Sequence, residues 1–179
     1  MEKRTTRGTV KPQGIALIGL PASGKSSIGS FLAKRLGLPF VDLDERIVVA
    51  DGRPIAEIFR VNGEQAFRQL ESDFLDQATR EGKVVISTGG GCVLAPGNRN
   101  LLRERCVVVW LDLSPELAAA RADRAPAVRP LLAMGDMVEQ LRALDKIRRP
   151  LYRECADIIV QVGDKSPAVI VEELYAALD

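Results

Sequence analysis

The sequence predicts an α/β fold in which a mostly parallel β-sheet is covered by helices on both faces. Short apolar runs alternate with amphipathic helical stretches along the chain, which is typical of βαβ crossovers. The first of these runs passes through a glycine-rich loop directly into a helical stretch. The chain has 179 residues, of which 46% are apolar, and this is enough for one domain with a substantial core.

The predicted elements follow from apolar periodicity and from residues that start or stop helices. Strands are predicted at Ile15–Leu20, Pro39–Leu43, Lys83–Ser87, Cys106–Leu113 and Asp157–Val162. Helices are predicted at Lys25–Leu36, Pro54–Phe59, Glu64–Arg80, Gly97–Glu104, Pro115–Arg124, Asp136–Ala156 and Pro167–Leu178. Gly37 ends the first helix, and Ser114 followed by Pro115 is a typical helix start.

Composition excludes several classes of function. The chain contains no histidine, so a Ser-His-Asp triad, an HExxH metalloprotease site and a histidine proton shuttle are impossible. The 25 basic and 24 acidic residues leave a net charge of +1, which argues against nucleic acid or an anionic membrane as the main partner. Cys92, Cys106 and Cys155 form no CxxC pair, which favours a reducing compartment. We therefore expect a cytoplasmic protein without a membrane span.

Two segments fall outside the regular pattern. Residues 1–13 are basic and lack the apolar core of a secretory signal, so a disordered tail is expected there, before a single domain over residues 14–179. Residues 124–135 are irregular and contain both proline and arginine. They form either a plain surface loop or a mobile lid over a ligand.

The segment Gly19-Leu-Pro-Ala-Ser-Gly24-Lys25-Ser26 matches the phosphate-binding pattern GxxxxGK[ST]. It lies between a predicted strand and a predicted helix, as a P-loop requires. Backbone N–H groups in such a loop surround phosphate oxygens, and the helix N-terminus adds partial positive charge. Lys25 is expected to reach the β- and γ-phosphates and the Ser26 hydroxyl to bind Mg²⁺. A glycine-rich turn without a ligand is the alternative.

The segment Asp42-Leu43-Asp44 comes at the predicted end of the second strand. In an open parallel sheet this edge faces the ligand crevice. Alternation along a strand would place both carboxylates on the same side, one near Mg²⁺ and the other near a substrate hydroxyl. A helix N-cap followed by an exposed acid is the alternative.

Phe67-Arg68-x-x-Glu71 lies on a predicted helix. Arg68 and Glu71 are neighbours at i, i+3, so the carboxylate of Glu71 would orient the guanidinium toward a carboxylate ligand. An ordinary surface ion pair is the alternative.

Glycines and arginines complete the candidate site. Ser87-Thr88-Gly89-Gly90-Gly91 exposes backbone amides and allows close approach of a ligand, unless it is a simple connector. Two arginine motifs follow, Arg129-Pro-Leu-Leu and Arg148-Arg149-Pro-Leu-Tyr152. Their arginines either stabilise charge on a transferring phosphoryl group or are solvated cations.

In this order and at these intervals, the motifs resemble those of the shikimate kinase family, from about Gly14 to the C-terminus. The resemblance implies a three-layer P-loop kinase fold, with a five-stranded parallel sheet in the order 2-3-1-4-5 and a mobile lid. It implies ATP-dependent phosphorylation of the 3-hydroxyl of shikimate, a step toward chorismate and the aromatic amino acids. ATP would be the co-substrate, Mg²⁺ the cofactor, and the protein a monomer.

The resemblance also implies roles for individual residues. The catalytic residues would be Lys25, Asp44 and Arg129. ATP would be bound by Gly19, Pro21, Ala22, Ser23, Gly24, Lys25, Ser26, Ser27 and Arg129, with Arg121 or Arg124 stacking on the adenine. Shikimate would be bound by Asp44, Arg68, Glu71, Gly89, Gly90, Gly91 and Arg148. The metal would be held by Ser26, by Asp42 through water and by Ser87 in its outer shell.

Three other functions are compatible with part of the pattern. A kinase acting on gluconate would share the fold, but Arg68, Arg148 and the three glycines favour shikimate. A catalytically inactive relative should have lost Lys25 or the acids of the DxD segment, and all are present. A GTPase-like switch should carry the NKxD motif, which the sequence lacks.

Overall fold

A sheet with five parallel strands forms the centre of the protein, as described by a computed structural model over residues 2–3, 14–124 and 136–178. The strands are β1 (Glu2–Lys3), β2 (Gly14–Ile18), β3 (Phe40–Asp42), β4 (Val85–Ser87), β5 (Cys106–Asp112) and β6 (Ile158–Gln161). Their order is β1-β6-β5-β2-β4-β3, and β2 to β6 pair in parallel. Counted from β2, this is the order 2-3-1-4-5, so the predicted topology is confirmed.

The short strand β1 was not predicted. It pairs antiparallel to β6, with Glu2 opposite Ile159 and Lys3 opposite Ile158. For these two residues the structure shows a strand where the sequence predicts a disordered tail. An exposed sheet edge can recruit a two-residue strand through backbone hydrogen bonds alone, which leaves no side-chain pattern to detect. Residues 4–13 and 125–135, and with them the expected lid and Arg129, lie outside the described residues.

The helices cover both faces of the sheet. They are α1 (Lys25–Leu36), α2 (Leu43–Asp51), α3 (Ile55–Arg80), α4 (Pro96–Arg105), α5 (Pro115–Arg124), α6 (Met137–Cys155) and α7 (Pro167–Leu178), with a 3₁₀ turn at Cys92–Leu94. Helix α3 unites the two predicted helices at Pro54–Phe59 and Glu64–Arg80. It kinks at Gly63, whose φ of 80° and ψ of 167° are not helical.

Helix α2 corrects the prediction of a strand through Leu43. The Asp42 carboxylate accepts hydrogen bonds from the backbone N–H groups of Asp44 and Glu45, so Asp42 is the N-cap of α2. The chain therefore changes from strand to helix within one residue. The alternation argument for Asp42 and Asp44 is wrong, because Asp44 lies in the first turn of a helix and not on the strand.

The pleat of the central strands divides the apolar core between the two faces of the sheet. On β5, Val109 and Leu111 pack on one face with residues of α1, α5 and α7. Val108 and Trp110 pack on the other face with residues of α3, α4 and α6. This two-sided burial holds β2, β3 and β4 in place, and their carboxyl ends meet at one edge of the sheet. In the part of the chain that the structure describes, no helix is long and apolar enough to span a membrane.

Candidate active site

A cavity of about 820 Å³ lies at the carboxyl edge of the sheet. Most residues that the sequence assigns to a site line it, namely Pro21, Ala22, Gly24, Lys25, Ser26, Ser27, Asp44, Arg68, Glu71, Ser87, Gly89, Gly90, Gly91, Arg121 and Arg148. Gly19, Ser23 and Asp42 lie behind this lining and contact it through hydrogen bonds. The P-loop, the arginines Arg68 and Arg148 and the glycine triplet therefore line one cavity.

The P-loop leaves the start of α1 open to an anion. Gly24 is the N-cap, with φ of 94°, and among the described residues no side chain caps the first turn of α1. Since the first turn of a helix has N–H groups without partners in the helix, these groups form an anion site. The buried Lys25 ammonium donates to the carbonyl oxygens of Gly19 at 3.0 Å and Leu20 at 2.8 Å. The loop thus holds its cation beside the helix N-terminus.

Three oxygen-bearing side chains meet beside the P-loop. The Ser26 hydroxyl donates to the Asp42 carboxylate at 2.5 Å and lies 3.4 Å from the Ser87 hydroxyl. The same carboxylate caps α2, so its position is fixed from two sides. Hydroxyl and carboxylate oxygens are the ligands that Mg²⁺ prefers, usually with several waters retained. The donor set therefore fits a magnesium ion.

Arg68 and Glu71 form a paired cation and acid in the cavity wall. The guanidinium of Arg68 donates to the Glu71 carboxylate at 2.9 Å, and also to Glu64 at 3.1 Å. Glu71 is buried, with 1% of its side chain exposed, whereas Arg68 is partly exposed at 18%. Held from both sides, the guanidinium reaches the cavity in a fixed orientation. A bidentate carboxylate contact gains most from such an orientation.

The glycine triplet packs directly against these charged groups. A Cβ on Gly91 would lie 2.5 Å from both terminal nitrogens of Arg68, and a Cβ on Gly89 would overlap Glu71 and lie 3.0 Å from Asp44. Since real Cβ atoms do not approach other atoms so closely, the side chains of Arg68, Glu71 and Asp44 hold these positions only because the backbone beside them is glycine.

We expect Gly91→Ala to raise the KM for the carboxylate substrate by about 10-fold, because the new methyl group would push the Arg68 guanidinium out of its place. Steady-state kinetics measures this. Gly97→Ala is the matched control, since a Cβ on Gly97 would have no atom within 4 Å. Equal KM values for the two variants would contradict the packing argument.

Burial raises the pKa of Glu71 above its ordinary value of 4.5, and the Arg68 guanidinium opposes that rise. Oxygen Oε1 of Glu71 is buried without a hydrogen-bond partner among the described residues. The folded state therefore binds the proton of the Glu71 carboxyl group more tightly than the unfolded state does. Ionisation of Glu71 costs stability, and the cost appears as pH rises through the raised pKa.

We therefore expect Glu71→Gln to become more stable relative to the wild type as pH rises from 4.5 toward 7. Urea unfolding of both proteins across this range measures the difference. Glu81→Gln is the contrast: a hydrogen bond from Arg46 lowers the pKa of Glu81, so the stabilisation by its ionised form is nearly complete above pH 4.5. The stability difference between Glu81→Gln and the wild type should therefore stay nearly constant over this range and disappear only at lower pH. Parallel stability curves for Glu71→Gln and the wild type would show that burial does not perturb this carboxyl group.

Arg148 and Arg121 approach the cavity from α6 and α5. Arg148 is buried, with 4% exposed, and would lie 3.3 Å from a Cβ on Gly90. The guanidinium of Arg121 donates to the Gly163 carbonyl at 2.6 Å, at the loop that follows β6. The side chain of Arg124, at the end of α5, lies outside the described part of the structure. Arg121 lines the cavity, which makes it a candidate for contact with the base.

Sequence reasoning missed an apolar wall of the cavity. Val48, Ile55, Phe59 and Phe67 line it beside Arg68, and the rings of Phe59 and Phe67 lie 4.6 Å apart. Their signal is weak, because apolar residues at helical spacing are far more often core residues than ligand contacts. The only distinguishing clue is their position next to the charged Arg68 motif.

Comparison with known proteins places these features in one family. The family model described as "Shikimate kinase" matches residues 21–179. A shikimate kinase of Paracidovorax citrulli is 45% identical over 169 residues, covering 92% of this chain and 91% of the relative. One of Mycobacterium avium is 44% identical over 162 residues, covering 90% and 91%.

Solved structures agree with the sequence relatives. A shikimate kinase from Acinetobacter baumannii in complex with shikimate superposes with a TM-score of 0.89 at 34% identity, covering 93% of each chain. A gluconokinase from Sinorhizobium meliloti superposes less well, with a TM-score of 0.61 at 24% identity over 93% of this chain and 91% of that one, and shows a shared fold alone. The chain therefore belongs to the shikimate kinase family, whose members phosphorylate shikimate with ATP in aromatic biosynthesis.

Proposed function

We propose that the cavity described above transfers the γ-phosphoryl group of ATP to the 3-hydroxyl of shikimate, with Mg²⁺ bound beside the P-loop. One observation supports this most strongly: a P-loop and a guanidinium pair beside a glycine triplet line the same cavity. A polyhydroxylated carboxylate acceptor needs cations for its carboxylate and an acid for its hydroxyls. Phosphoryl transfer needs in-line positioning and neutralisation of charge, for which no histidine is required.

The nucleotide end of the site is the P-loop. Its first-turn amides and the Lys25 ammonium would bind the β- and γ-phosphates, where negative charge changes most during transfer. Ser26 would hold Mg²⁺ directly, with Asp42 acting through water and Ser87 in the outer shell. When bound, this ion would neutralise charge on the phosphates. Among the described residues no group of three or more His, Cys, Asp or Glu side chains could hold a metal ion. Phosphate oxygens and water would supply further ligands.

The acceptor end of the site is formed by Arg68, Arg148 and the glycine triplet. Both guanidinium groups lie at the cavity wall, and Glu71 lies close to both of them. They would bind the carboxylate of shikimate, while the amides of Gly89–Gly91 would contact its ring. The related protein from Acinetobacter baumannii was solved with shikimate bound.

Asp44 lies between the two ends of the cavity. It projects from the first turn of α2 toward Gly89, with Oδ1 3.0 Å from the place that a Cβ would take there. We assign it to the acceptor hydroxyl, which it would orient and whose proton it would accept during transfer. The alternative of a helix N-cap followed by an exposed acid is confirmed for the cap, Asp42, but Asp44 is partly buried in the cavity wall.

The base of ATP would lie against Arg121. This guanidinium lines the cavity, and its hydrogen bond to the Gly163 carbonyl fixes its position there. Arg129 keeps the role that the sequence assigns to it at the phosphates, although it lies outside the described residues. A monomer in the cytoplasm, without a nucleic acid or membrane partner, remains our expectation for the whole chain.

The carboxylate contact can be tested with Arg68→Ala. A charge-assisted hydrogen bond contributes roughly 1.5–3 kcal/mol, so the KM for shikimate should rise by about 10- to 150-fold. The KM for ATP should stay near the wild-type value. Arg68→Lys should restore little, because a lysine ammonium lacks the planar fork of the guanidinium. Steady-state kinetics with each substrate varied in turn measures both constants.

Arg60→Ala is the matched control for this variant. Arg60 lies on the same helix, but 75% of its side chain is exposed. Its ion pair with Glu57 is long, at 3.7 Å. A wild-type KM in Arg60→Ala and a raised one in Arg68→Ala would support the assignment. A normal shikimate KM in Arg68→Ala would place the carboxylate elsewhere.

A further inference from the structure

A tyrosine behind the cavity wall connects the glycine triplet to Arg148. Tyr152 lies on α6 one turn after Arg148, so the two side chains share a face of the helix. Its hydroxyl donates to the Gly90 carbonyl at 2.5 Å and is hydrogen-bonded to the Arg148 guanidinium. One oxygen atom thus joins two groups that approach the cavity from different elements.

The Tyr152 ring is fixed by its surroundings. It is 1% exposed, and its centroid lies 5.8 Å from that of Trp110 on β5. Burial raises the pKa of Tyr152 far above its ordinary value of 10, although Arg148 opposes the rise. The hydroxyl therefore keeps the proton that it donates to Gly90 and accepts an N–H bond from Arg148.

The contact with the Gly90 carbonyl also fixes an amide. The Gly90–Gly91 peptide is trans, so the Gly91 N–H points away from the carbonyl and hence away from Tyr152. Two consecutive glycines have more conformational freedom than other residues, so a side-chain contact at this peptide restricts its orientation. The next carbonyls along the chain are also held: the Asn98 side chain donates to Cys92 and the Arg99 guanidinium to Val93 and Leu94. In the triplet itself, the backbone N–H groups of Cys92 and Leu94 donate to the carbonyls of Gly89 and Gly91, and Tyr152 holds the Gly90 carbonyl between them.

We propose that Tyr152 is a positioning residue for the acceptor, which holds the Gly90–Gly91 peptide and the Arg148 guanidinium in the arrangement that binds the substrate carboxylate and ring. This rests on the proposed function, because it requires Arg148 and the triplet to face shikimate. Tyr152 does not touch the reacting atoms. Its loss should therefore weaken binding of the acceptor while leaving the nucleotide end of the cavity unchanged.

Tyr152→Phe removes the hydroxyl and keeps the ring against Trp110. The KM for shikimate should rise by about 5- to 30-fold, the range for one lost buried hydrogen-bonding group. The KM for ATP and kcat should each change by less than about threefold, since the Tyr152 hydroxyl bonds to Gly90 and Arg148 and not to the P-loop itself. Tyr175→Phe is the matched control: Tyr175 lies on α7 against Arg35 and is the other tyrosine of the chain. It should have wild-type constants.

Rescue separates positioning from a general loss of packing. With 4-aminophenylalanine at position 152, an N–H donor again faces the Gly90 carbonyl, and the KM for shikimate should fall at least halfway back to the wild-type value. If Tyr152→Phe does not fold, the 4-aminophenylalanine variant is compared with the wild type alone. A KM that stays as high as in Tyr152→Phe would overturn the positioning role, as would parallel changes in the constants for ATP and shikimate.

Arg148→Lys distinguishes failure of this inference from failure of the proposed function. If Arg148→Lys raises the KM for shikimate while Tyr152→Phe leaves it unchanged, the inference is wrong and the assignment of Arg148 stands. If Arg148→Lys leaves the KM unchanged, the assignment of Arg148 fails and the role of Tyr152 fails with it. Raised values in both variants, with normal ATP constants in Tyr152→Phe, support the inference.

Discussion

Replacing Lys25 with methionine is expected to lower kcat by about 10³-fold, because the variant lacks the ammonium that neutralises charge on the transferring phosphoryl group. Methionine retains most of the aliphatic stem, so the P-loop and the core around it should remain folded. The carbonyl oxygens of Gly19 and Leu20 would lose their donor, which costs about 1–3 kcal/mol for each group that stays buried. Circular dichroism and urea unfolding should report a folded but less stable protein.

Lys34→Met is the control for this experiment. Lys34 lies in the last turn of the same helix, is exposed and points away from the cavity lining. It should leave kcat and both KM values unchanged. If Lys25→Met retained turnover close to that of Lys34→Met, the P-loop would not be the phosphate site, and the nucleotide end of the proposed mechanism would be wrong.

Asp44→Asn is expected to lower kcat by roughly 10²–10⁴-fold, the usual range for loss of a general base. Asparagine has the same shape and can still contact a hydroxyl, so the KM for shikimate should change less than kcat does. Steady-state kinetics at saturating ATP, with shikimate varied, separates these two effects.

Glu45→Gln is the neighbouring control. Glu45 follows Asp44 in the first turn of α2, and the Asp42 carboxylate accepts a hydrogen bond from each of their backbone N–H groups. Its side chain is exposed, and the variant should be as active as the wild type. A change confined to the KM in Asp44→Asn would show that Asp44 positions shikimate without accepting its proton.

Local patterns predicted much of the fold. The β-branched run before Gly19 and the helix after Lys25 gave the central unit of the sheet, because strand, loop and helix follow one another without interruption. The i, i+3 spacing of Arg68 and Glu71 predicted an ion pair, which the structure shows at 2.9 Å. Neither prediction depends on how distant parts of the chain pack together.

The start of α2 was harder to predict. Val41-Asp42-Leu43 alternates as a strand should, but Asp42 is both the last residue of β3 and the cap of the following helix. The strand interpretation and the helix-cap interpretation assign different roles to the Asp42 carboxylate. Its hydrogen bonds to the N–H groups of Asp44 and Glu45 decide the outcome, and alternation alone could not reveal them.

Contacts between distant residues were not predictable at all. Tyr152 and Gly90 are 62 residues apart, and their hydrogen bond depends on how α6 crosses the sheet. The burial of Glu71 likewise depends on the glycine triplet closing over it, as does its raised pKa. A single sequence indicates which residue types a site needs, but not which buried groups support them from behind.

In the proposed function, the P-loop and the arginine end of this one cavity act on the same pair of substrates. A coupled assay of ADP release with ATP and Mg²⁺ tests it most directly, with shikimate, gluconate or no acceptor added. ADP should form rapidly with shikimate and only at a slow background rate in the other two reactions, with phosphorus NMR showing one new phosphate ester at the 3-position. Equal ADP release with gluconate, or release independent of any acceptor, would contradict the account.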